Sequence, residues 1–390
     1  MKITRVLFYI IISLAFISCS NQELNPTQPT VNDPTSALDY IPGKAKTNGS
    51  LGTKVVAPGL LGAMRVSEMG TGECLMSIKP IERSIASFKI SSYSAKPGTS
   101  GVTVTSRKQG NGSANIHVFY IGFTPEARAA FQSAVDIWAS TLNSDVDIFV
   151  LAQFAPLAPG VLGSAGSTFI IRDFPGAQRD TWYGNALGDK LAGQDLVPGF
   201  FDIVASFSSA FPNWYFGTDG NPPSNEFDFR TVVLHELGHG LNFFGGMSYN
   251  LVTGAGFYGF GIQPAFPTIF DQFTSTRPGR QLVQTNKFPN PSVKLGDALI
   301  GEQILFSGHH TISETKGNRA VLYTPDNWRP GSSYSHLDER IYTGTINGLM
   351  TPFLSPGEAF NHPGPIVISM FEDMGWTGKI IKPYKMTQVK

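Results

Sequence analysis

The chain has 390 residues, enough for two average domains or for one large domain with attachments. Its 29 basic and 29 acidic residues give a formal net charge of zero, and no basic patch stands out, so nucleic acid is not an expected partner. Charged residues make up only 15%, whereas glycine (42) and proline (27) are plentiful, which is typical of a loop-rich secreted protein.

Residues 1–19 have the organisation of an export signal. Lys2 and Arg5 precede an apolar run over residues 7–17 that is too short to span a bilayer. Cys19 follows closely, as the lipid-modified cysteine does in a bacterial lipoprotein signal; the alternative is an ordinary signal peptide in which Cys19 is incidental. We therefore expect export, with acyl chains on Cys19 that anchor the protein to the bacterial outer membrane or cell surface, or a form released from it.

The region between the signal and the main domain falls into two parts. Residues 20–50 combine prolines with Asn, Thr, Gln and Ser, which predicts a disordered tether. Residues 51–112 contain short apolar runs broken by Gly, Ser and Lys, and predict a β-rich pro-segment or an N-terminal extension packed on the main domain. Cys74 in this region could be a latency switch that ligates a metal through its thiolate. A lone cysteine is more often an ordinary buried residue.

A main domain is expected over residues 113–378, followed by a tail at 379–390. The segment Ile116–Ile121 predicts a strand. Thr124-Pro125-Glu126 predicts the start of a long helix, because it offers a capping hydroxyl, a proline at the first helical position and an acid in the first turn.

Further strands are predicted at residues 146–152, 168–172 and 202–207. A second helix follows them and contains residues 231–241. The order of strand, long helix, several strands and second helix predicts an α/β (α+β) fold, in which a mixed twisted sheet lies beneath that helix.

The second helix contains the stretch that carries chemistry, His235-Glu236-Leu237-Gly238-His239. On a helix, residues four apart share a face, so His235 and His239 can aim at one point. Glu236 lies about 100° round the helix, close enough to touch a metal-bound water but badly placed to be a ligand. This is the pattern of zinc-dependent hydrolysis. The alternative is a chance match on a buried helix, against which stand the apolar face of the helix and its expected end at Gly245-Gly246.

The third metal ligand is expected from a distant part of the chain. A catalytic zinc usually takes three protein ligands and keeps its fourth position for water. The compact extension H-E-x-x-H-x-x-G-x-x-H fails here, because Asn242 and Gly245 stand where Gly and His are required. Residues 244–335 are interpreted as a long insertion of loops and short strands. Aspartates and glutamates stay open as ligands, and the histidine candidates are His309, His310, His336 and His362.

Three later segments follow the helix motif in a recognisable order. They are Ser335-His336, Leu349-Met350-Thr351-Pro352 and Asp373-Met374-Gly375. With them, the chain resembles the leishmanolysin-type metzincins over roughly residues 115–378. In that family a long insertion interrupts the zinc motif, the third histidine arrives in a Ser-His segment, Leu-Met-x-Pro follows, and a helix ends in Asp-x-Gly.

The chain departs from that family in three respects. Asn242 stands where a glycine usually lets the chain turn beneath the zinc. The two halves of the site are farther apart in sequence than is usual, and the dense cysteine complement of the eukaryotic members is missing. The chain is therefore expected to be a distant bacterial relative with its own loops.

The resemblance implies a metzincin-like zincin domain with an active-site helix and a loop-rich C-terminal half. It implies that His235, His239 and His336 hold Zn²⁺ and that Met350 forms the Met-turn beneath the metal, although an ordinary core methionine would pack in much the same way.

The mechanism implied is zinc-dependent endopeptidase chemistry, in which Glu236 is the general base for a metal-activated water. The partner is then a protein or peptide substrate, extended along a sheet edge above the active-site helix. Two alternatives stay open: a catalytically silent surface-binding lipoprotein, and a zinc amidase that acts on a non-protein amide. The pattern predicts no oligomeric state.

Overall fold

The protein is built around an eight-stranded mixed sheet, seen in a computed structural model. In order across the sheet, the strands are β19 (Phe353–Leu354), β3 (Gly72–Leu75), β2 (Ala63–Val66), β8 (Val161–Ser167), β11 (Ile203–Ser208), β7 (Ile148–Ala155), β5 (Ile116–Ile121) and β4 (Val102–Thr105). Strands β5, β7 and β11 are parallel, whereas β8 is antiparallel to β11. The mixed sheet and its helices confirm the predicted mixed α/β class.

The structure describes residues 54–56, 63–66, 72–75, 102–105, 113–301 and 304–378. The predicted signal peptide with Cys19, most of the predicted N-terminal region and the tail at 379–390 lie outside the described residues. For Cys74 the backbone in β3 is described and the side chain is not. Within these ranges, no helix combines the length and apolarity needed to cross a membrane.

Two long helices cover one face of the sheet. The helices in the described ranges are α1 (Pro125–Thr141), α2 (Asn185–Ala192), α3 (Phe229–Gly240), α4 (Ile269–Gln272), α5 (Val293–Leu299), α6 (His309–Glu314), α7 (Glu339–Tyr342) and α8 (Pro365–Met374). Helix α1 begins as predicted, because the Thr124 hydroxyl accepts a hydrogen bond from the Ala127 N–H at 3.2 Å. The buried Trp138 side chain then donates from Nε1 to the Leu234 carbonyl at 2.9 Å, which ties α1 to α3.

Short strands outside the main sheet form smaller sheets. One sheet has the order β1 (Lys54–Val56), β9 (Ile170–Arg172) and β10 (Tyr183–Gly184), and another has β16 (Thr274–Thr276), β17 (Ile304–Phe306) and β18 (Ala320–Val321). The two-stranded pairs are β6 (Leu142–Asn143) with β20 (Thr377–Gly378), β12 (Trp214–Tyr215) with β13 (Phe227–Asp228), and β14 (Ser248–Tyr249) with β15 (Gly256–Phe257).

The predicted insertion at 244–335 contains more helix than its sequence suggests. Loops and short strands are expected there, and the structure adds helices α4, α5 and α6. These helices have four, seven and six residues, so none is long enough to show a helical period in its apolar residues.

Strand β8 of the main sheet is also not predicted from the sequence. Its residues are Val-Leu-Gly-Ser-Ala-Gly-Ser, most of which have low strand propensity. The strand predicted at residues 168–172 corresponds to β9. Gly163 is needed for packing, because a Cβ there would lie only 2.5 Å from the Phe207 ring. Helix α3 packs directly on β8, so this strand forms one side of the candidate site.

Candidate metal centre

Helix α3 brings the first two histidines together. The Asp228 carboxylate caps the helix by accepting from the Thr231 N–H at 3.0 Å. One turn apart on the buried face, His235 and His239 place their Nε2 atoms 3.1 Å from each other. The i and i+4 spacing therefore produces the convergence that the sequence predicts.

His336 completes the group. It lies in the loop before α7, and it is fully buried. His235, His239 and His336 each offer one ring nitrogen, and the three nitrogens lie within 4.8 Å of one another. This buried triad could hold a metal ion.

Backbone carbonyls determine the tautomer of each ring. The Nδ1 atoms of His235, His239 and His336 lie 2.6 Å from the Leu349 carbonyl, 2.7 Å from the Phe243 carbonyl and 2.7 Å from the Ser332 carbonyl, respectively. A carbonyl oxygen can only accept, so each neutral ring carries its proton on Nδ1 and leaves a lone pair on Nε2.

The Nε2 atoms of the three histidines face one another. Those of His235 and His239 cannot form a real hydrogen bond when both are acceptors, and His336 Nε2 has no hydrogen-bond partner in the described residues. Buried acceptors without donors are unfavourable. A cation at the centre of the triad could be shared by three neutral ring nitrogens, so the donor set fits a metal.

Burial keeps the three rings neutral. It lowers the pKa of His235 to about 4, against a weaker opposing effect of the Leu349 carbonyl. It also lowers the pKa of His239 and of His336 well below the usual value, and repulsion between the neighbouring rings adds to this. Neutral imidazole is the form that ligates metals, so the site is ready to bind at neutral pH.

Glu236 lies on the same helix and is completely buried. One carboxylate oxygen, Oε2, accepts from the Ala165 N–H of β8 at 3.0 Å. The other, Oε1, has no hydrogen-bond partner in the described part of the chain. Burial raises the pKa of Glu236 to about 8, although the bond from Ala165 opposes this rise. A buried carboxyl oriented by one oxygen and free at the other is suited to hold and move a proton.

The chain leaves α3 earlier than predicted. The helix ends at Gly240, and Leu241 is its C-cap, so the prediction that Gly245-Gly246 ends it is wrong. Asn242 adopts a left-handed conformation with φ 97°, which asparagine tolerates better than most residues. Its side-chain oxygen accepts from the Gly184 N–H at 2.6 Å. Asn242 thus makes the turn by which the chain leaves α3.

Met350 packs against the helix between the two histidines. It is fully buried at the end of a 3₁₀ turn, Gly348–Met350. A Cβ on Gly238 would lie 2.9 Å from the Met350 sulfur, so the glycine lets the thioether approach the backbone of α3. Both the Met-turn interpretation and the core-methionine interpretation predict this contact.

The other histidines named as candidates lie elsewhere. His309 and His310 begin α6 and are exposed; His310 Nδ1 is 3.6 Å from the Glu372 carboxylate. His362 is half-buried, and its Nδ1 accepts from the Gly364 N–H at 3.0 Å. None of the three belongs to the triad.

Two residues that support the third ligand have no signal in the sequence. The Tyr334 hydroxyl donates to Asp271 Oδ1 at 2.8 Å, and both side chains are fully buried. Asp271 also accepts from the Gly246 N–H at 2.9 Å, and Gly245 N–H donates to the Ser335 hydroxyl at 3.0 Å. These bonds join the segment after α3 to the loop of His336. Because Asp271 and Tyr334 are far apart in the chain, no local pattern relates them.

Compared with protein-family models, curated proteins and solved structures, the chain shows no match. The interpretation of the site therefore depends on its own geometry and chemistry.

Proposed function

We propose that the protein is a zinc-dependent endopeptidase of the metzincin type, with His235, His239 and His336 as the metal ligands. The observation that carries this proposal is the meeting of three buried ring nitrogens, with a carboxylate on the same helix whose Oε1 has no hydrogen-bond partner among the described residues. Three imidazoles leave one position of a tetrahedral zinc for water, which is the composition of a catalytic rather than a structural site. The order of the later motifs, which resembles that of leishmanolysin-type metzincins, supports the same proposal.

Zinc bound at the triad would supply a water of lowered pKa and would polarise the scissile carbonyl. Glu236 takes the proton of the attacking water on the oxygen that Ala165 does not occupy. It then returns this proton to the leaving amine. The Leu349, Phe243 and Ser332 carbonyls hold the imidazoles in orientation, as acceptors around metal-ligating histidines commonly do. A cation near Glu236 would lower its pKa again and restore its basic form.

The test is cleavage of reduced casein by the zinc-loaded protein. We expect cleavage that a chelator abolishes and that zinc restores. Glu236→Ala should keep the bound zinc and lower the rate by about 10²- to 10⁴-fold, the usual contribution of a general acid–base group. Glu314→Ala, which changes an exposed glutamate on α6, is the matched control and should cleave like the wild type.

The casein experiment, with a parallel digestion of peptidoglycan, distinguishes the peptidase from the two alternative functions. A binding-only protein would show no cleavage that depends on Glu236. An amidase acting on cell-wall material would release products from peptidoglycan and leave casein intact. Equal rates for the wild type and Glu236→Ala would overturn the proposed mechanism.

We further propose that the protein is exported and anchored by lipid on Cys19. The support is the arrangement of the first residues, with two basic side chains, a short apolar run and then the cysteine. The substrate would then be a protein or peptide outside the cytoplasm.

A further inference from the structure

Two strand edges flank the candidate metal centre. On one side, the Ala165 N–H of β8 donates to Glu236 at 3.0 Å. On the other side, Phe353 and Leu354 of β19 line a small hollow together with His235. A polypeptide reaching the triad in an extended form would lie between these two edges.

The chain's own N-terminal strands fill this space. Strand β2 pairs antiparallel with β8, with Met64 opposite Gly163, and it also contacts α3. Strand β3 pairs with β2 and then with β19, where Glu73 lies opposite Phe353. The order β8–β2–β3–β19 is therefore a continuous ladder across the candidate site.

We infer that β2 and β3, the N-terminal strand pair, block the substrate cleft, so that an extended polypeptide can bind only after β2 is displaced from β8. This inference rests on the proposed function, because it describes how the same site is regulated. Main-chain hydrogen bonds attract any extended polypeptide to a free strand edge, whatever its side chains. The edge of β8 is thus the natural place for a substrate strand, and β2 occupies the part of it that contains Val161 and Gly163.

The backbone pairing between β2 and β8 is short. Strand β2 has four residues against the seven of β8, and the register shifts between Met64 and Arg65. A short strand with an irregular register satisfies only part of its neighbour's edge. A competing polypeptide, or removal of the strand pair by a second protease, can therefore open the cleft. Blocking by backbone pairing needs no thiol, so Cys74 in β3 is not required for it.

The test uses the zinc-loaded full chain carrying Glu236→Ala, so that a bound polypeptide stays intact. In this background, Arg65→Pro combined with Glu73→Pro removes two ladder N–H groups from the strand pair. Thr103→Pro combined with Thr105→Pro is the matched control, because β4 lies at the opposite end of the described strand order and pairs there with β5. The probe is fluorescently labelled reduced casein, whose binding is followed by anisotropy.

We expect the strand-pair variant to bind casein at least about tenfold more tightly than its parent, because a cleft that is open only a tenth of the time weakens the apparent affinity by that factor. The β4 control and Cys74→Ser should bind like the parent. Equal affinity in the strand-pair variant and its parent would overturn the inference, as would tighter binding caused by Cys74→Ser alone.

A second measurement needs no proline. In the Glu236→Ala protein, saturating casein should speed hydrogen exchange at the amides of β2 while those of β8 stay protected. If the β2 amides keep their protection with casein bound, the cleft does not open in this way.

Different results would overturn the proposed peptidase activity and the proposed blocking of the cleft. Tighter casein binding by the strand-pair variant, without cleavage once Glu236 is restored, would leave the blocked cleft standing and overturn the peptidase. Cleavage that depends on Glu236, with no change in casein affinity, would do the reverse.

Discussion

Each histidine of the triad has its Nδ1 atom at a backbone carbonyl and its Nε2 atom at the centre of the triad. The hydrogen bonds to three carbonyls fix the orientation of the rings, and burial keeps the rings neutral. In Glu236, Oε2 accepts a hydrogen bond from the Ala165 N–H, and Oε1 has no hydrogen-bond partner in the part of the chain that the structure describes. At the scale of single residues, the site is thus oriented before any ligand arrives, which is how protein groups around a metal sharpen its binding.

A second group of buried side chains predicts how stability depends on pH. The Asn185 amide donates to Asp189 at 3.1 Å and also to Asp202, and all three residues are buried. Burial raises the pKa of both carboxyls, and for Asp189 the charge of Asp202 raises it further. An acid whose pKa is higher in the folded state binds more protons there than in the unfolded chain. The free energy of unfolding therefore falls as pH rises above the unfolded pKa, about 3.9, and through the raised values.

We predict that the protein is less stable at pH 9 than at pH 5, and that Asp189→Asn reduces this difference by about 2 kcal/mol, the equivalent of one to two pKa units. Asparagine imitates the protonated carboxyl, so its own contribution does not change with pH. Urea unfolding at the two pH values measures the effect. The control is Asp297→Asn, at an exposed position on α5. An unchanged pH dependence in Asp189→Asn would contradict the account.

At the scale of elements, the long helices and the regular strands β5, β7 and β11 were predictable, whereas strand β8 and the short helices α4, α5 and α6 were not. Thr124 and Pro125 mark the start of α1 by local chemistry, and the histidine spacing of α3 follows from the helical repeat. Strand β8 was not predicted because its Gly163 lowers the local strand propensity. This glycine is needed to make room for the Phe207 ring of a neighbouring strand, and local sequence does not reveal that contact. The pairing of β2 with β8 likewise depends on a partner far away in the chain.

The loop of His336 is held by bonds that cross the predicted insertion. Its neighbour Tyr334 has φ 77°, and its ring lies where a side chain on Gly245 would have to be. The Ser-His segment points to His336 from sequence alone, but the support from Asp271 of α4 appears only in three dimensions.

We predict that Tyr334→Phe weakens zinc binding by about tenfold, within the range usual for residues that support metal ligands. The change removes a donor from the buried Asp271 carboxylate and frees the loop of His336. Tyr342→Phe is the matched control, since it removes a hydroxyl that accepts from the Val321 N–H at 3.2 Å. Chelator competition measures both zinc affinities. Equal zinc affinity in the two variants would show that the Tyr334 bond does not position the ligand.

At the scale of the whole molecule, the site joins distant parts of the chain. His235 and His239 come from α3, whereas His336 and Met350 follow the predicted insertion at 244–335. A ligand that bridges such segments binds the folded chain and not the unfolded one, so metal and stability are linked.

We therefore predict that removing zinc lowers the free energy of unfolding by about 3 kcal/mol when the free metal is near one hundred times its dissociation constant. Urea unfolding with zinc and with a chelator measures this difference. In His239→Ala the two unfolding curves should coincide. A zinc-dependent shift of the same size in that variant would place the metal elsewhere.

The proposed N-terminal anchor belongs to the same scale. We predict that cells fed a labelled fatty acid incorporate the label into the wild-type protein and not into Cys19→Ala. Cys74→Ser is the control and should stay labelled. Label in Cys19→Ala would show that Cys19 is not the modified residue.

The most direct test of the metal centre is the zinc content of His336→Ala, measured by elemental analysis after dialysis against a weak chelator. The wild type, Glu236→Ala and the exposed-site control His310→Ala should each keep one zinc ion per chain, because none of these changes alters a proposed ligand. His336→Ala should lose most of it, since two imidazoles hold zinc far less tightly than three. Full zinc content in His336→Ala, or none in the wild type, would contradict the account.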